Sequence, residues 1–189
     1  MVNGEGWLPG SRKCDLAVIK CKNYTHQTKY QLPIPPSPNL PNMKSIYLYP
    51  STCFFEATPV SLGRGTSLPF QVYGHPNMTG YNYSFTPRSI PGAKNPPQLN
   101  KLCHGVDLSN MSDEEIWKRG VDLTYVIDAY RNLNLDDHFF RPFFELLVGR
   151  DYVRKMIKEG KSADDIKAMW KGDVEKFKAQ RKPYLLYEE

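Results

Sequence analysis

At 189 residues, with 40% hydrophobic and 24% charged side chains, the chain is long enough to bury a core and too apolar to be a disordered tail. Its net charge of +5 is interspersed with acids, as in RKMIKEGKSADDIKAMWKGDVEKFKAQRK (154–182), which mixes both signs as solvated helices do. Without a ladder of aromatic and basic residues, that pattern argues against a nucleic-acid partner.

Residues 14–21, CDLAVIKC, are short, apolar and β-rich. They predict a buried strand of a parallel type, whose neighbours the rest of the chain does not supply. A polar, aromatic loop (22–31) follows. Five prolines between Leu32 and Pro41 then fix φ and exclude helix, so this segment is extended and stiff, either a wall or a protruding ligand. Tyr24 and Asn39 are the polar groups such a wall would present.

The chemistry gathers between Tyr49 and Pro76. Residues 43–55 predict a helix, with Pro50 suited to a first turn, although Ile46–Tyr49 also reads as strand. Ser61-Leu-Gly-Arg-Gly-Thr66 holds Arg64 between two glycines, which admit positive φ and close approach. Such a loop can aim one guanidinium and several backbone N–H groups at an anion or a sugar. The plainer reading is a tight turn whose arginine pairs with a surface acid. No Gly-Lys-Ser/Thr follows, which excludes a P-loop.

Phe70–Tyr73 predicts a short strand stopped by Gly74-His75-Pro76. Further strands are expected at Tyr83–Phe85 and Cys103–Ser109, separated by an irregular arm through Pro97. From Ser112 the chain turns helical: Ser112-Asp-Glu-Glu115 is a capping box, with Glu115 reaching back, and its helix runs to about Leu133. A short helix ends at Gly149, another spans Asp151 to Gly160, and a last one is capped by Ser162. Ile166, Met169, Trp170, Val174 and Phe177 form the stripe of that last helix, expected to be core.

The cysteines (14, 21, 53, 103) never reach CxxC spacing, and Cys14, Cys21 and Cys53, in or beside apolar runs, are expected as buried free thiols. The four histidines make no HExxH pattern, so neither a metal nor another cofactor is expected. Met1–Trp7 has neither a charged nor an apolar export region, and no run reaches the length of a membrane span. Taken with Met1 as a natural start, that implies a cytoplasmic chain.

Several motifs recur together in one order: Leu32-Pro-x-Pro-x-Ser-Pro-Asn39-Leu-Pro41, Tyr49-Pro50, Phe55-Glu56-x-Thr58, Ser61-x-Gly63-Arg64-Gly65-Thr66, Pro69-Phe70, Phe85-x-Pro87 and Cys103-x-Gly105-Val106. The tail adds Trp170, Phe177, Arg181 and Tyr184–Tyr187. This set resembles the C-terminal half of the exo-β-N-acetylmuramidase (NamZ-type) family of peptidoglycan glycoside hydrolases. Ala57 departs from the family's usual glycine.

The resemblance implies an α/β fold: the remnant of a Rossmann-like catalytic domain over residues 1–76, its front half missing, and a smaller α+β domain with a helical C-terminus over 77–189. Family members carry their proposed catalytic acid in a Gly-Pro-Glu-His-Gly motif. No Glu-His-Gly occurs here, so this chain alone is expected to be inactive. The implied activity is release of N-acetylmuramic acid from non-reducing ends, with this chain supplying one wall of the sugar site. A non-catalytic glycan-binding or structural module is the alternative. Peptidoglycan fragments or muramic-acid glycosides are the implied partners, with the missing N-terminal half or self-association completing the protein, in the cell envelope or secreted.

On this reading Arg64 binds the lactyl carboxylate of muramic acid, and Asn39, Tyr24 and His75 contact hydroxyls or the acetamido group. Ser61 and Thr66 flank and hold the loop. Glu56 is the candidate for substrate positioning or for the second catalytic role, since glycoside hydrolysis ordinarily uses two groups. It could equally serve only to orient Arg64.

Overall fold

The first helix begins where a side chain can accept its free amides. Asn42 Oδ1 accepts from the Ser45 N–H at 2.9 Å, and α1 runs Met43–Thr52. Asn42 therefore opens this helix, whereas Pro50, expected in a first turn, lies inside the last one. There its missing N–H leaves the Ile46 carbonyl without the usual donor, and α1 gives way to a 3-10 turn at Cys53–Ala57.

The computed structural model describes residues 1–188. Its architecture is a mixture of helices and one small sheet, and it divides into two compact units, Leu32–Ile166 and Met1–Gln31 with Lys167–Glu189. In the larger unit, β1 (Val72–His75), β2 (Tyr83–Phe85) and β3 (Cys103–Asp107) form an antiparallel sheet of order β1-β3-β2. Gly105 sits opposite Gly74 on one side and Tyr83 on the other. Val72, Phe85 and Cys103 make its core face, with Leu68 and Tyr83 packed against them. The strand expected at Phe70–Tyr73 begins two residues later, because Phe70 adopts φ +60°, which no strand accommodates.

The helix expected from Ser112 to Leu133 is two helices. Ser112 caps α2 (Asp113–Arg119) by accepting from the Glu115 N–H at 3.2 Å, while the Glu115 carboxylate turns forward to Arg119. Gly120, at φ +60°, breaks the helix. The Ser51 hydroxyl donates to the Gly120 carbonyl (3.1 Å) and accepts from Asp122 N–H (2.9 Å), tying the break to α1. Asp122 then accepts from Thr124 N–H at 2.8 Å as α3 (Thr124–Leu133) starts.

Two phenols fasten α3 to the sheet side: Tyr73 and Tyr81 each donate to Asp128 Oδ2 at 2.8 Å. Burial, then the Asp128 charge, pushes the Tyr73 phenol far up, so it stays a donor. Asp128→Ala is expected to cost about 2–3 kcal/mol, since a 3%-exposed phenol loses its acceptor. Asp128→Asn should recover part of this; urea unfolding of both variants checks it, and a loss below about 0.5 kcal/mol contradicts it.

Beyond α3, Tyr130, Phe139, Phe140 and Phe144 form a ring cluster with centroids 4.5–5.3 Å apart. It leads into α4 (Phe144–Val148) and α5 (Tyr152–Lys158). The Arg141 N–H donates to the Ala57 carbonyl at 2.9 Å, which docks this region beside the turn that follows α1.

In the smaller unit the expected buried strand does not form. Residues 14–21 join no sheet, and Leu16, Val18 and Ile19 are 66%, 50% and 95% exposed. The sequence has the right composition for a strand, but no strand among the described residues accepts its ladder bonds. The segment is held at its ends, where the Asn3 side chain exchanges two bonds with the Cys14 backbone and Tyr187 Oη accepts from Cys21 N–H at 2.8 Å. Cys14 and Cys21 are consequently exposed free thiols; Cys103 alone is buried, and Cys53 half-buried. The last helix, α6 (Ala163–Arg181), also departs from expectation: only Ala163 and Ile166 are buried, while Met169, Val174 and Phe177 lie on the surface.

Candidate functional site

The end of α1, the turn after it and the glycine loop converge on one aromatic ring. Phe70 is 1% exposed, and its backbone is held in the left-handed region by two bonds. Its N–H donates to Leu62 O (2.7 Å), and its carbonyl accepts the Thr52 hydroxyl (3.2 Å). Tyr49 tilts against this ring at 5.0 Å, and the Arg64 guanidinium lies over it at 5.3 Å. Arg64 Nη2 is ion-paired with Glu56 Oε1. Arg64 Nε is buried without a hydrogen-bond partner among the described residues.

The loop that carries Arg64 is built from glycine for two reasons. Gly63 and Gly65 sit at φ +82° and +81°, and neither has room for a side chain. A Cβ on Gly65 would fall 2.4 Å from Arg88 O, and one on Gly63 2.4 Å from Leu68 O. Thr66 Oγ1 donates to Gly63 O (2.7 Å) and accepts from Leu68 N–H (3.0 Å). Ser61 exchanges two backbone bonds with Gly74 (2.8 and 2.9 Å), which fastens the loop to β1. Its hydroxyl is fully buried and accepts from Gly63 N–H. Arg88 N–H donates to Gly65 O at 2.8 Å and closes the far side.

The electrostatics leave one ion pair among neutral neighbours. Burial, then the Glu56 charge, pushes the Cys53 thiol up to about 11. Tyr49 is raised by the same two causes, with Arg64 opposing. Tyr49 and Cys53 therefore carry no charge at neutral pH. The guanidinium keeps donors beyond the one given to Glu56, so the cluster can present a planar cation to a carboxylate. Tyr49, Cys53 and Phe70 were not among the site residues expected from sequence. The one-turn spacing of Tyr49 and Cys53 was visible there; nothing in the sequence marks a phenylalanine for positive φ.

The remaining expected residues lie elsewhere. Asn39 Nδ2 donates to Gly92 O at 3.0 Å, pinning the proline segment to the 90–93 turn. His75 ends β1 opposite His104, and its Nδ1 accepts from Asn77 N–H at 3.1 Å. Burial, then Lys101, lowers its pKa. Tyr24 belongs to the smaller unit, edge-on to Tyr187 at 4.8 Å. No group of three metal-ligating side chains occurs among the described residues, and no described helix is long and apolar enough to cross a membrane.

The succession of proline segment, α1, glycine loop and small sheet can be set beside known proteins. Residues 47–187 match the family model for the C-terminal part of the exo-beta-N-acetylmuramidase NamZ. The chain belongs to the NamZ family. The peptidoglycan beta-N-acetylmuramidase NamZ of Bacillus subtilis (strain 168) is 32% identical over 192 residues, covering 92% of this chain and 46% of that protein.

Two crystal structures of DUF1343 family proteins from Bacteroides fragilis NCTC 9343 are similar to this NamZ-family chain. One is 81% identical with a TM-score of 0.96, covering all of this chain and 53% of its own. The other, 22% identical with a TM-score of 0.72, covers 99% and 54% and shows likeness of fold alone. This chain thus spans about half the length of the relatives it matches.

Proposed function

We propose that this chain forms the C-terminal half of an exo-acting β-N-acetylmuramidase and supplies one wall of its sugar site. On this reading the complete protein releases N-acetylmuramic acid from non-reducing ends of peptidoglycan fragments, in the cell envelope or outside the cell. Residues 1–76 close a Rossmann-like catalytic region whose earlier strands come from the other half, in the same polypeptide or in trans. The exposed Leu16, Val18 and Ile19 support this, because they are apolar side chains that a neighbouring strand would cover.

One observation carries the reading: a guanidinium held over Phe70 and steadied by Glu56, on a glycine loop, in a chain related to a muramidase. What separates muramic acid from N-acetylglucosamine is a lactyl ether bearing a carboxylate. Arginine's planar fork matches that group with two parallel hydrogen bonds. Glu56 acts here as the residue that positions Arg64. Asn39 and His75, which lie outside the Arg64 cluster, remain proposed contacts for hydroxyls and the acetamido group, whereas Tyr24 belongs to the smaller unit.

The engagement of Glu56 by Arg64 also favours a second reading for the isolated chain, binding without chemistry. The carboxylate of this cluster is already committed, and protonating the leaving oxygen needs another. The purified chain is therefore expected to release nothing from a chromogenic muramic-acid glycoside, and adding the N-terminal half should restore turnover. Turnover by the chain alone contradicts this assignment.

A further inference from the structure

β1 ends at His75, and the turn that follows is closed by two bonds to that one residue. The Met78 N–H donates to the His75 carbonyl at 3.1 Å, and the Asn77 N–H donates to His75 Nδ1 at 3.1 Å. A side chain accepting from the amide two residues on is the bond of an Asx-turn, made here by an imidazole. The turn is a joint between elements. Met78 is 1% exposed, and the next residue, Thr79, exchanges two bonds with the Asn132 side chain on α3 (3.1 and 2.9 Å). On the other side Gly74 exchanges two backbone bonds with Ser61 of the Arg64 loop.

We propose that His75 is an acid-sensitive latch: its neutral ring holds this turn closed against α3, and a proton on Nδ1 opens it. Nδ1 accepts through its lone pair, so protonation turns it into a second donor facing the Asn77 N–H. The surroundings oppose that proton. His104 stands directly opposite on β3, and Lys101 lies just before that strand. Burial, then the Lys101 charge, holds the His75 pKa below the ordinary histidine value. The nearby acids are placed elsewhere: Asp107 lies opposite Val72 at the far end of the ladder, and Asp128 of α3 accepts from Tyr73 and Tyr81. The folded form therefore takes the proton less readily than the unfolded chain. Stability is full above the ordinary value of 6.5 and falls as the pH drops below it, levelling off once the folded form is also protonated. The latch does not depend on the glycan reading.

The test is urea unfolding of the whole chain from about pH 7.5 to about pH 5, beside His75→Asn and His104→Asn. Asparagine places Oδ1 where Nδ1 stands, keeps the turn bond and does not titrate. The parent's unfolding constant should rise about fivefold on acidification, the scale of one hydrogen bond. His75→Asn should lose most of that rise, and His104→Asn should keep most of it. Ring nitrogen NMR of the parent checks the latch without a substitution, should His75→Asn fail to fold. Neutral His75 should carry its proton on Nε2 and titrate below 6.5, and the Asn77 and Thr79 amides should lose exchange protection over the same pH range. The proposal is overturned if His75→Asn keeps the parent's full rise, or if the rise disappears with His104 instead. It is also overturned if neutral His75 is protonated on Nδ1, or if the two amides stay equally protected as the ring titrates.

Discussion

If the complete protein is the muramidase proposed above, Arg64→Ala is expected to weaken muramic-acid substrates about 30-fold or more and to leave the matching glucosaminide unchanged. Leaving a partly buried carboxylate without its partner costs on the order of 2–5 kcal/mol, and each 1.4 kcal/mol is about a tenfold loss. The variant should still fold. The Glu56–Arg64 side chains are 20% and 35% exposed, so water reaches the carboxylate that the substitution leaves behind. Arg64→Lys should rescue in part, because an ammonium supplies charge without the planar fork. The comparison of the two substrates decides the matter: equal loss on both would make Arg64 a structural residue of its loop.

Gly65→Ala is expected to destabilise the larger unit by about 2–4 kcal/mol, from left-handed backbone strain together with overpacking. At φ +81° a Cβ there would fall 2.4 Å from Arg88 O and 2.7 Å from Pro96 Cγ. Both belong to the arm that closes the loop, so the substitution also loosens the Arg88–Gly65 bond and moves Arg64. Gly80→Ala is the matched control: its φ is +82°, but nothing lies within 4 Å of the added carbon. It should cost only the conformational part, about 1 kcal/mol. Urea unfolding of the pair separates the two contributions. Equal losses would mean that close approach at Gly65 does not constrain the loop.

Local chemistry was easy to read where one side chain sets one backbone feature. Ser112 as a cap, glycines around Arg64 and the strand at Tyr83–Phe85 all follow from residue type. Structure is not legible in the sequence where it depends on what packs against a segment. Residues 14–21 have a strand's composition, but a strand needs a partner and none pairs with it among the described residues. Met169, Val174 and Phe177 have the spacing of a buried stripe, yet spacing does not say whether anything covers it. The split between α2 and α3 rests on Gly120 and on Ser51, distant in sequence. At the site, the Arg64–Glu56 pairing was foreseen as one of two alternatives, whereas the ring beneath it was not. Phe70 is forced to positive φ by Leu62 and Thr52, a tertiary effect with no local signature.

The most direct test of the account is a crystal structure of the chain soaked with N-acetylmuramic acid. The lactyl carboxylate should lie within hydrogen-bonding distance of the Arg64 guanidinium, above Phe70, with Glu56 still holding the other side of the fork. A sugar bound elsewhere, with Arg64 engaged by Glu56 alone, would contradict the claim that this loop recognises muramic acid.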